Sequence, residues 1–244
     1  MDLGLEGRVA LVTGASKGLG RAVAEALARE GAEVAISSRA RERIEAAASE
    51  IGARAYVHDA ADADGARELL ERVEDELGPI AILVTNSGGP PAGDALSFSL
   101  KDWRVAYEML MLGQLALIEA ALPGMRQRRW GRVLSLSSSV VREPNPQLVL
   151  SAANRSALLA TLKTIAREVA NEGVTVNTVL PGVIATDRAR EIGADSPESV
   201  AKIPAGRLGT VEEFAAAAAF LCSEQAAYVT GTALLVDGGA SWAT

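Results

Sequence analysis

The sequence predicts an α/β protein with one doubly wound parallel sheet of about seven strands and helices on both faces. Short aliphatic runs alternate with longer segments whose apolar residues recur at helical spacing, almost to the end of the chain. Several of the short runs are apolar throughout, which is typical of parallel strands covered on both faces. The predicted strands are residues 8–13, 33–37, 53–58, 80–85, 132–137, 174–180 and 233–237.

A segment with helical spacing follows each predicted strand except the last, so we expect right-handed crossovers between strands. These segments are GRAVAEALARE, ARERIEAAASE, DGARELLERVEDEL, residues 102–125, residues 150–172 and VEEFAAAAAFL. The two long helices, 102–125 and 150–172, are apolar on more than one face, which suits contacts between subunits. Because the sequence contains no linker or internal repeat, we expect residues 1–244 to form a single domain.

Composition and charge argue against several classes of function. The net charge of −7 disfavours nucleic-acid binding, which needs a basic surface. Cys222 and His58 are the only residues of their types, so we expect neither a disulfide nor a metal site, and Cys222 reads as a small buried residue. The acidic N-terminal segment and the lack of a run of about 18 apolar residues predict a cytoplasmic protein that does not enter a membrane.

A glycine-rich turn, TGASKGLGR (13–21), connects the first predicted strand to the first predicted helix. Gly14, Gly18 and Gly20 give the spacing G-x-x-x-G-x-G. Glycines permit a tight turn and a close approach of the backbone to a ligand, and the N-terminus of the following helix attracts a pyrophosphate. The turn therefore indicates a dinucleotide site, and an ordinary βα turn is the alternative.

The second predicted strand ends in Ser37, Ser38 and Arg39, where an acidic residue would hold the adenosine ribose of NAD. Lys17 in the glycine-rich turn supplies a second cation in the same region. Two cations and no carboxylate suit a 2′-phosphate, so we expect NADP(H) to be preferred over NAD(H). A solvated arginine on a turn is the alternative interpretation of Arg39.

Further motifs follow in a fixed order: TNSGG (85–89), VLPGVIATD (179–187), IPAGRLGTVEEF and YVTGTALLVDGGA. Together with TGASKGLG, they resemble the short-chain dehydrogenase/reductase family, and most closely its branch of 3-oxoacyl-carrier-protein reductases, from about Leu5 to Ala240. The resemblance implies a Rossmann-type fold and NADP(H)-dependent reduction of a 3-oxoacyl thioester or similar ketone, as in fatty acid biosynthesis. It also implies a homotetramer or dimer, and it leaves open whether an acyl carrier protein is a partner.

The resemblance also implies which residues bind the cofactor. They are Gly14, Ser16, Lys17, Gly18, Leu19 and Gly20 at the pyrophosphate, Arg39 at the 2′-phosphate, Asp59 and Ala60 at the adenine, Asn86, Ser87 and Gly88 at the adenosine ribose, and Arg155, Pro181, Gly182, Val183 and Thr186 at the nicotinamide end. Ser87 and Gly88 match the family's N-N-A-G turn imperfectly. For the small residues, simple turn formation is the alternative interpretation.

The family's catalytic residues are a serine, the tyrosine and lysine of Y-x-x-x-K, and an asparagine that helps to hold a proton-relay water. The serine place falls on Ser138, although its serine neighbours leave the register open by one residue. The tyrosine, lysine and asparagine places fall on Ser151, Arg155 and Leu110, so three of the four residues differ from the family pattern.

These replacements change the available acid–base chemistry. A phenol has a pKa of about 10, whereas an aliphatic hydroxyl such as that of Ser151 is a much weaker acid. Loss of a general acid typically lowers a rate by about 10² to 10⁴. Arg155 is still able to hydrogen-bond ribose hydroxyls and to stabilise a developing alkoxide. Tyr107 and the loop at 140–150 are other candidate sources of the proton. The simpler interpretation of Tyr107 is packing in the core or at a subunit interface, and that of the loop is stiffening by its two prolines.

Three hypotheses therefore remain. The first is an NADP(H)-dependent reductase with a rebuilt proton-donor arrangement, and it rests on the cofactor-binding motifs and Ser138. The second is a nucleotide-binding protein with little or no turnover that acts as a sensor or partner subunit, and it rests on Leu110, Ser151 and Arg155. The third is a non-redox use of the same fold. Residues 187–204 are expected to form a lid over the substrate, but their mixed polar character identifies no substrate.

Overall fold

Seven parallel strands form one sheet in the computed structural model, which describes residues 2–243. The strands are β1 (Val9–Thr13), β2 (Glu33–Ser38), β3 (Arg54–Val57), β4 (Ile80–Thr85), β5 (Gly131–Leu136), β6 (Val174–Pro181) and β7 (Ala233–Val236). Their order in the sheet is β3-β2-β1-β4-β5-β6-β7. Both the number of strands and the parallel arrangement confirm the fold class predicted from the sequence.

Nine α-helices surround the sheet within the described residues. They are α1 (Gly18–Arg29), α2 (Arg41–Ile51), α3 (Ala66–Leu77), α4 (Leu100–Tyr107), α5 (Gly113–Arg128), α6 (Val149–Val169), α7 (Asp187–Glu191), α8 (Pro197–Val200) and α9 (Val211–Cys222). A π-helical turn at Glu108–Leu112 joins α4 to α5, so the helix predicted at 102–125 is irregular at its centre. Helix α6 continues into a 3₁₀ turn at Ala170–Glu172, which completes the helix predicted at 150–172.

The sheet has a hydrophobic core on each face, which explains why β1, β4, β5 and β6 are buried along their whole length. Helices α1, α2 and α9 cover one face, where Leu27, Ile44 and Phe214 are among the buried side chains. Helices α3, α5 and α6 cover the other face. Cys222 lies in the first of these cores, as expected, and burial raises the pKa of its thiol to about 12.

The order of the strands reverses between β1 and β4, which are neighbours in the sheet but not in the chain. Chain connections leave these two strands toward opposite faces, so a crevice opens beyond their carboxyl ends. Thr13 and Asn86, at the ends of the two strands, are joined by hydrogen bonds from Thr13 Oγ1 to Asn86 O (2.8 Å) and from Asn86 N to Thr13 Oγ1 (2.9 Å). The fold therefore places its ligand crevice directly beside the glycine-rich turn.

The continuous helical segment Leu100–Arg128 is long and apolar enough to span a membrane, with a mean hydropathy of 1.5 over its test window. The sequence prediction that nothing here enters a membrane rested on the lack of an unbroken apolar run, whereas this segment qualifies by its mean hydropathy. A helix that packs against the core of a protein also reaches such a hydropathy, because its buried side is apolar. Here Leu117, Ile118 and Met125 are buried against the sheet and α3.

Gly113 begins α5 at a point where a side chain has no room. A Cβ at this position would lie 1.8 Å from the backbone oxygen of Ala60, in the loop expected to hold the adenine. We predict that Gly113→Ala lowers the free energy of unfolding by about 1–3 kcal/mol, because the backbone must shift to relieve the overlap. Urea unfolding measures this change.

Gly124→Ala on the same helix is the matched control. Its Cβ would meet the guanidinium of Arg128 at 2.9 Å, and Arg128 Nη2 donates to Ile80 O (2.6 Å). The gain of about 0.5–1 kcal/mol from alanine within a helix should therefore be offset by a shift of this one side chain, with a net change smaller than that of Gly113→Ala. Equal effects of the two substitutions would contradict the close packing of α5 on the Ala60 loop.

Candidate active site

The glycine-rich turn between β1 and α1 has the geometry of a phosphate-binding loop. Gly14 has a φ of +59°, and a Cβ there would lie 2.8 Å from Asn86 Nδ2, which donates a hydrogen bond to Gly14 O (3.0 Å). Helix α1 begins at Gly18 without a side-chain cap and without an acidic residue in its first turn. Its first amide N–H groups are therefore free to bind an anion.

The other residues of this loop line the same turn. Ser16 and Leu19 are half-buried and Gly20 is buried, whereas Lys17 is exposed. The Lys17 ammonium lies 3.6 Å from the Asp187 carboxylate and 3.8 Å from that of Glu191. Helix α7, in the predicted lid, is thus held against the loop by ion pairs.

Two hydroxyl groups at the end of β2 are buried without a partner. Among the described residues, neither Ser37 Oγ nor Ser38 Oγ has a hydrogen-bond partner, although such buried groups are nearly always paired in proteins. Arg39 follows them and is exposed. The unpaired hydroxyls of Ser37 and Ser38 suit hydrogen bonds to the ribose of a nucleotide, and the exposed Arg39 cation suits a 2′-phosphate.

The remaining cofactor positions also lie at the carboxyl edge of the sheet. Beyond β3, Asp59 is exposed and Ala60 is half-buried. Beyond β4, Ser87 is buried and Gly88 is exposed, with no atom within 4 Å of the position that a Cβ would take.

Pro181 ends β6, and Gly182 and Val183 follow it. Thr186 caps α7, with Oγ1 accepting a hydrogen bond from Ala189 N (3.3 Å). The loops after β1, β2, β3, β4 and β6 therefore bring the predicted cofactor residues to one edge, and their donors and unpaired hydroxyls fit a dinucleotide.

Ser138, Ser151 and Arg155 lie near the end of β5. Ser138 caps a short 3₁₀ helix, and its Oγ accepts a hydrogen bond from Val140 N (3.4 Å). Arg155 Nε donates to Ser151 Oγ (3.2 Å), and Arg155 Nη1 donates to Leu136 O (2.9 Å). The arginine side chain thus folds back onto the serine that occupies the tyrosine place.

Arg155 is a buried cation, with only 7% of its surface exposed. No carboxylate lies within 4.0 Å of its guanidinium in residues 2–243, and its Nη2 donates no hydrogen bond to them. Burial, together with the positive charge of Arg188, lowers the pKa of Arg155 to about 10, so it remains charged at neutral pH. A buried charge without a counter-charge is costly, which indicates a site built to receive an anionic or polar ligand.

Leu110 is fully buried within the π-helical turn. One turn later, the side chain of the buried Gln114 makes three hydrogen bonds. Its Nε2 donates to Leu110 O (3.3 Å), and its Oε1 accepts from Thr85 (2.9 Å) and Ser135 (3.2 Å). Sequence reasoning missed Gln114 because it matches no family position, although a glutamine within an apolar helix was a visible signal.

The tyrosines of the chain do not supply the missing phenol. Tyr56 donates to Glu76 (3.0 Å), and burial and this hydrogen bond raise its pKa to about 12. Tyr228 is fully exposed. Tyr107 is 43% exposed, so of the two roles expected for it, packing in the core or at a subunit interface, the subunit contact remains the prediction. In the loop after β5, Glu143 accepts hydrogen bonds from the backbone of the C-terminal segment.

Arg188 is a second residue that the sequence did not single out. It lies on α7, and its Nη2 donates to Pro90 O (2.8 Å) in the loop after β4. Its Nε lies 3.0 Å from the position that a Cβ would take on Gly89. The side chain therefore spans the mouth of the crevice, from the lid to the opposite loop.

Two buried arginines, Arg132 and Arg155, differ in their contacts, and we predict that they contribute differently to stability. Arg132 donates to the backbone oxygens of Ser223 (2.9 Å) and Gly131 (2.9 Å) and stacks on Trp130 at 4.4 Å. We predict that Arg132→Met lowers the free energy of unfolding by about 3 kcal/mol or more, because hydrogen bonds from a charged group contribute about 1.5–3 kcal/mol each.

Arg155→Met should lower the free energy of unfolding by less than Arg132→Met does, because Arg155 makes only one hydrogen bond to the backbone, stacks on no aromatic ring within residues 2–243 and carries a large desolvation cost. Thermal or urea unfolding of both variants without cofactor tests the pair. Equal losses would mean that Arg155 has a structural role like that of Arg132.

The chain is similar to known proteins over nearly its whole length. The family model described as Enoyl-(Acyl carrier protein) reductase matches residues 14–241. The chain is 38% identical over 242 residues to the 3-oxoacyl-[acyl-carrier-protein] reductase FabG of Escherichia coli (strain K12), covering 97% of this chain and 98% of the relative. It is 39% identical over 243 residues to FabG of Vibrio harveyi, with the same coverage.

Solved structures give the same result. An NADPH-bound short chain oxidoreductase from Pseudomonas aeruginosa PAO1, described as containing an atypical catalytic center, has a TM-score of 0.91 and 32% identity, with 99% of each chain covered. The L-sorbose reductase of Gluconobacter frateurii, complexed with NADPH and L-sorbose, has a TM-score of 0.91 and 32% identity, with 100% of each chain covered. These similarities confirm the resemblance seen in the sequence: the chain belongs to the short-chain dehydrogenase/reductase family of oxidoreductases.

Proposed function

We propose that this protein is a cytoplasmic, NADP(H)-dependent reductase of a 3-oxoacyl thioester or a similar ketone. The observation that carries the proposal is the buried Arg155 guanidinium, held at Leu136 O at the end of β5, two residues before Ser138, and at the same edge as the dinucleotide framework. FabG relatives and NADPH-bound structural neighbours support the same reaction class. An acyl carrier protein would present the substrate if it is a thioester.

The dinucleotide would be held along the carboxyl edge of the sheet. The free amides of α1 would bind its pyrophosphate, and Arg39 with the two unpaired serine hydroxyls would bind the adenosine ribose and 2′-phosphate. Arg155 and the loop from Pro181 to Thr186 would hold the nicotinamide end. When bound, the cofactor supplies the hydride that reduces the carbonyl carbon.

The residues near β5 would stabilise the charge that develops on the carbonyl oxygen. Ser138 would donate a hydrogen bond to this oxygen, and the fixed Arg155 cation would stabilise it electrostatically. Ser151 is a positioning residue, because its Oγ accepts from Arg155 Nε and fixes the direction of the guanidinium. Since neither side chain is a good proton donor at neutral pH, a water molecule at this polar edge would deliver the proton.

The similarity to the Pseudomonas oxidoreductase bears on the alternative of an inactive sensor. That protein is called an oxidoreductase and is described as having an atypical catalytic center, so a relative of similar fold combines the two. This supports a reductase over a retired site. We also propose that the chain forms a homotetramer or dimer through its two long helices and last strand.

The cofactor preference is tested at Arg39. We predict that Arg39→Ala raises the Kd of NADPH about tenfold and leaves that of NADH unchanged, because only NADPH carries the 2′-phosphate. Fluorescence titration of both cofactors measures this. Arg41→Ala is the control, since Arg41 already pairs with Glu45 at 3.2 Å. Equal weakening of both cofactors would assign Arg39 another role.

The reductase chemistry is tested at the three consecutive serines. We expect NADPH oxidation with short 3-oxoacyl thioesters or related ketones, and a loss of at least about 10²-fold in kcat/KM for Ser138→Ala. Ser137→Ala and Ser139→Ala are the matched controls, and they settle the register. No turnover with any carbonyl compound, despite tight NADPH binding, would refute the proposed function.

A further inference from the structure

Three polar side chains from three elements meet in the apolar core between α5 and the sheet. Gln114 Oε1 accepts hydrogen bonds from Thr85 Oγ1 at the end of β4 (2.9 Å) and from Ser135 Oγ on β5 (3.2 Å). Gln114 Nε2 donates to Leu110 O in the π-helical turn (3.3 Å). The side chains of Gln114, Thr85 and Ser135 are fully buried, so one carboxamide ties the ends of two strands to the π-helical turn.

Packing alone does not explain a carboxamide at this place. Leu117 and Ile118, one turn further along α5, meet the same side of the sheet with apolar side chains. A buried amide or hydroxyl is costly unless it is hydrogen-bonded, and apolar side chains of similar shape would avoid that cost. Buried polar networks make the elements that they join adopt one arrangement. The network around Gln114 therefore suits a place where the arrangement of the elements matters for function.

The first acceptor of the Arg155 guanidinium is Leu136 O, at the end of β5. Leu136 directly follows Ser135, whose hydroxyl group donates to Gln114. Because consecutive side chains of a strand point to opposite faces, Gln114 holds β5 from one face while the Leu136 side chain packs in the core on the other. The carbonyl group that fixes the guanidinium thus lies next to the residue that Gln114 holds.

The second acceptor of Arg155 is Ser151 Oγ, near the start of α6. Ser151 directly follows Leu150, which belongs to the same small hydrophobic cluster as Leu110. Leu110 O in turn accepts the hydrogen bond from Gln114, within a π-helical turn of the kind that is frequent at functional sites. Both acceptors of Arg155 are therefore next in the chain to a residue that Gln114 holds, directly for Leu136 and through the shared cluster for Ser151.

We infer that Gln114 is a positioning residue, which sets the direction of the Arg155 guanidinium at the nicotinamide end of the cofactor. The inference rests on the proposed function, which places Arg155 there. The competing role is at the other end of the cofactor, because Thr85 precedes Asn86, whose side chain holds the phosphate loop at Gly14 O. The two roles differ in which half of the cofactor loses affinity when Gln114 is replaced.

The test compares the Kd of NADPH with that of adenosine 2′,5′-bisphosphate, which lacks the nicotinamide end, and calorimetry measures both without turnover. We expect Gln114→Met to raise the Kd of NADPH about tenfold, as for the loss of one hydrogen bond from a charged group, and to leave that of the bisphosphate unchanged. The triple variant Thr85→Val/Gln114→Met/Ser135→Ala also removes the two hydroxyl groups that lose their acceptor. It should regain stability toward urea but keep the higher Kd of NADPH.

Asn177→Leu is the matched control, because Asn177 is another buried carboxamide, on β6, that donates to Val229 O (2.7 Å) and accepts from Thr232 N (3.1 Å). It should lower stability and leave the ratio of the two Kd values unchanged.

A triple variant that regains the wild-type Kd of NADPH together with its stability would overturn the inference, because the network would then have a structural role alone. Equal weakening of both ligands by Gln114→Met would also overturn it and place the effect at the phosphate loop. Tight NADPH binding by the wild-type protein without turnover of any carbonyl compound would instead refute the proposed reductase, since the ratio of Kd values is measured separately.

Discussion

The contact between Thr13 and Asn86 is the constraint on which the rest of the site depends. It joins the ends of β1 and β4, where the strand order reverses and the two halves of the fold separate. The Asn86 side chain also donates to Gly14 O, so the same residue sets the path of the phosphate loop. A shift between β1 and β4 would therefore displace the cofactor loop on one side and the end of β5 on the other.

The end of the crevice near β5 combines motifs that resemble those of the family with a buried guanidinium in the lysine place. Where the family pattern has a phenol and an ammonium group, this chain places a hydroxyl and a guanidinium, and the two are hydrogen-bonded to each other. Burial keeps Arg155 in one position and strengthens its field at the end of β5. The site is consequently organised around a fixed cation, and Gln114 supplies the internal polar contacts that Leu110 does not.

Most of the fold was predictable, because the strands are apolar runs and helical spacing separates them. The predicted positions of the cofactor residues were also visible, since glycines, small residues and Arg39 follow strands whose ends meet at one edge. Arg188 was not predictable, because it lies in a polar segment and acts through a side chain that crosses to a loop about 100 residues earlier. The π-helical turn at Glu108–Leu112 likewise depends on tertiary packing, and no residue pattern in α4 and α5 predicts it.

A fixed guanidinium in place of a phenol separates two tasks that one side chain usually performs. A phenol both stabilises the developing oxyanion and gives it a proton, whereas Arg155, which is charged at neutral pH, would perform only the first task in the proposed reaction. Protonation of the oxyanion would then require a water molecule next to the carbonyl oxygen. The carboxyl edge of the sheet would have to stay polar under the predicted lid to hold this water. Arg188 meets this requirement, because it covers the mouth of the crevice with a polar group and is tied to the Pro90 carbonyl instead of an apolar surface.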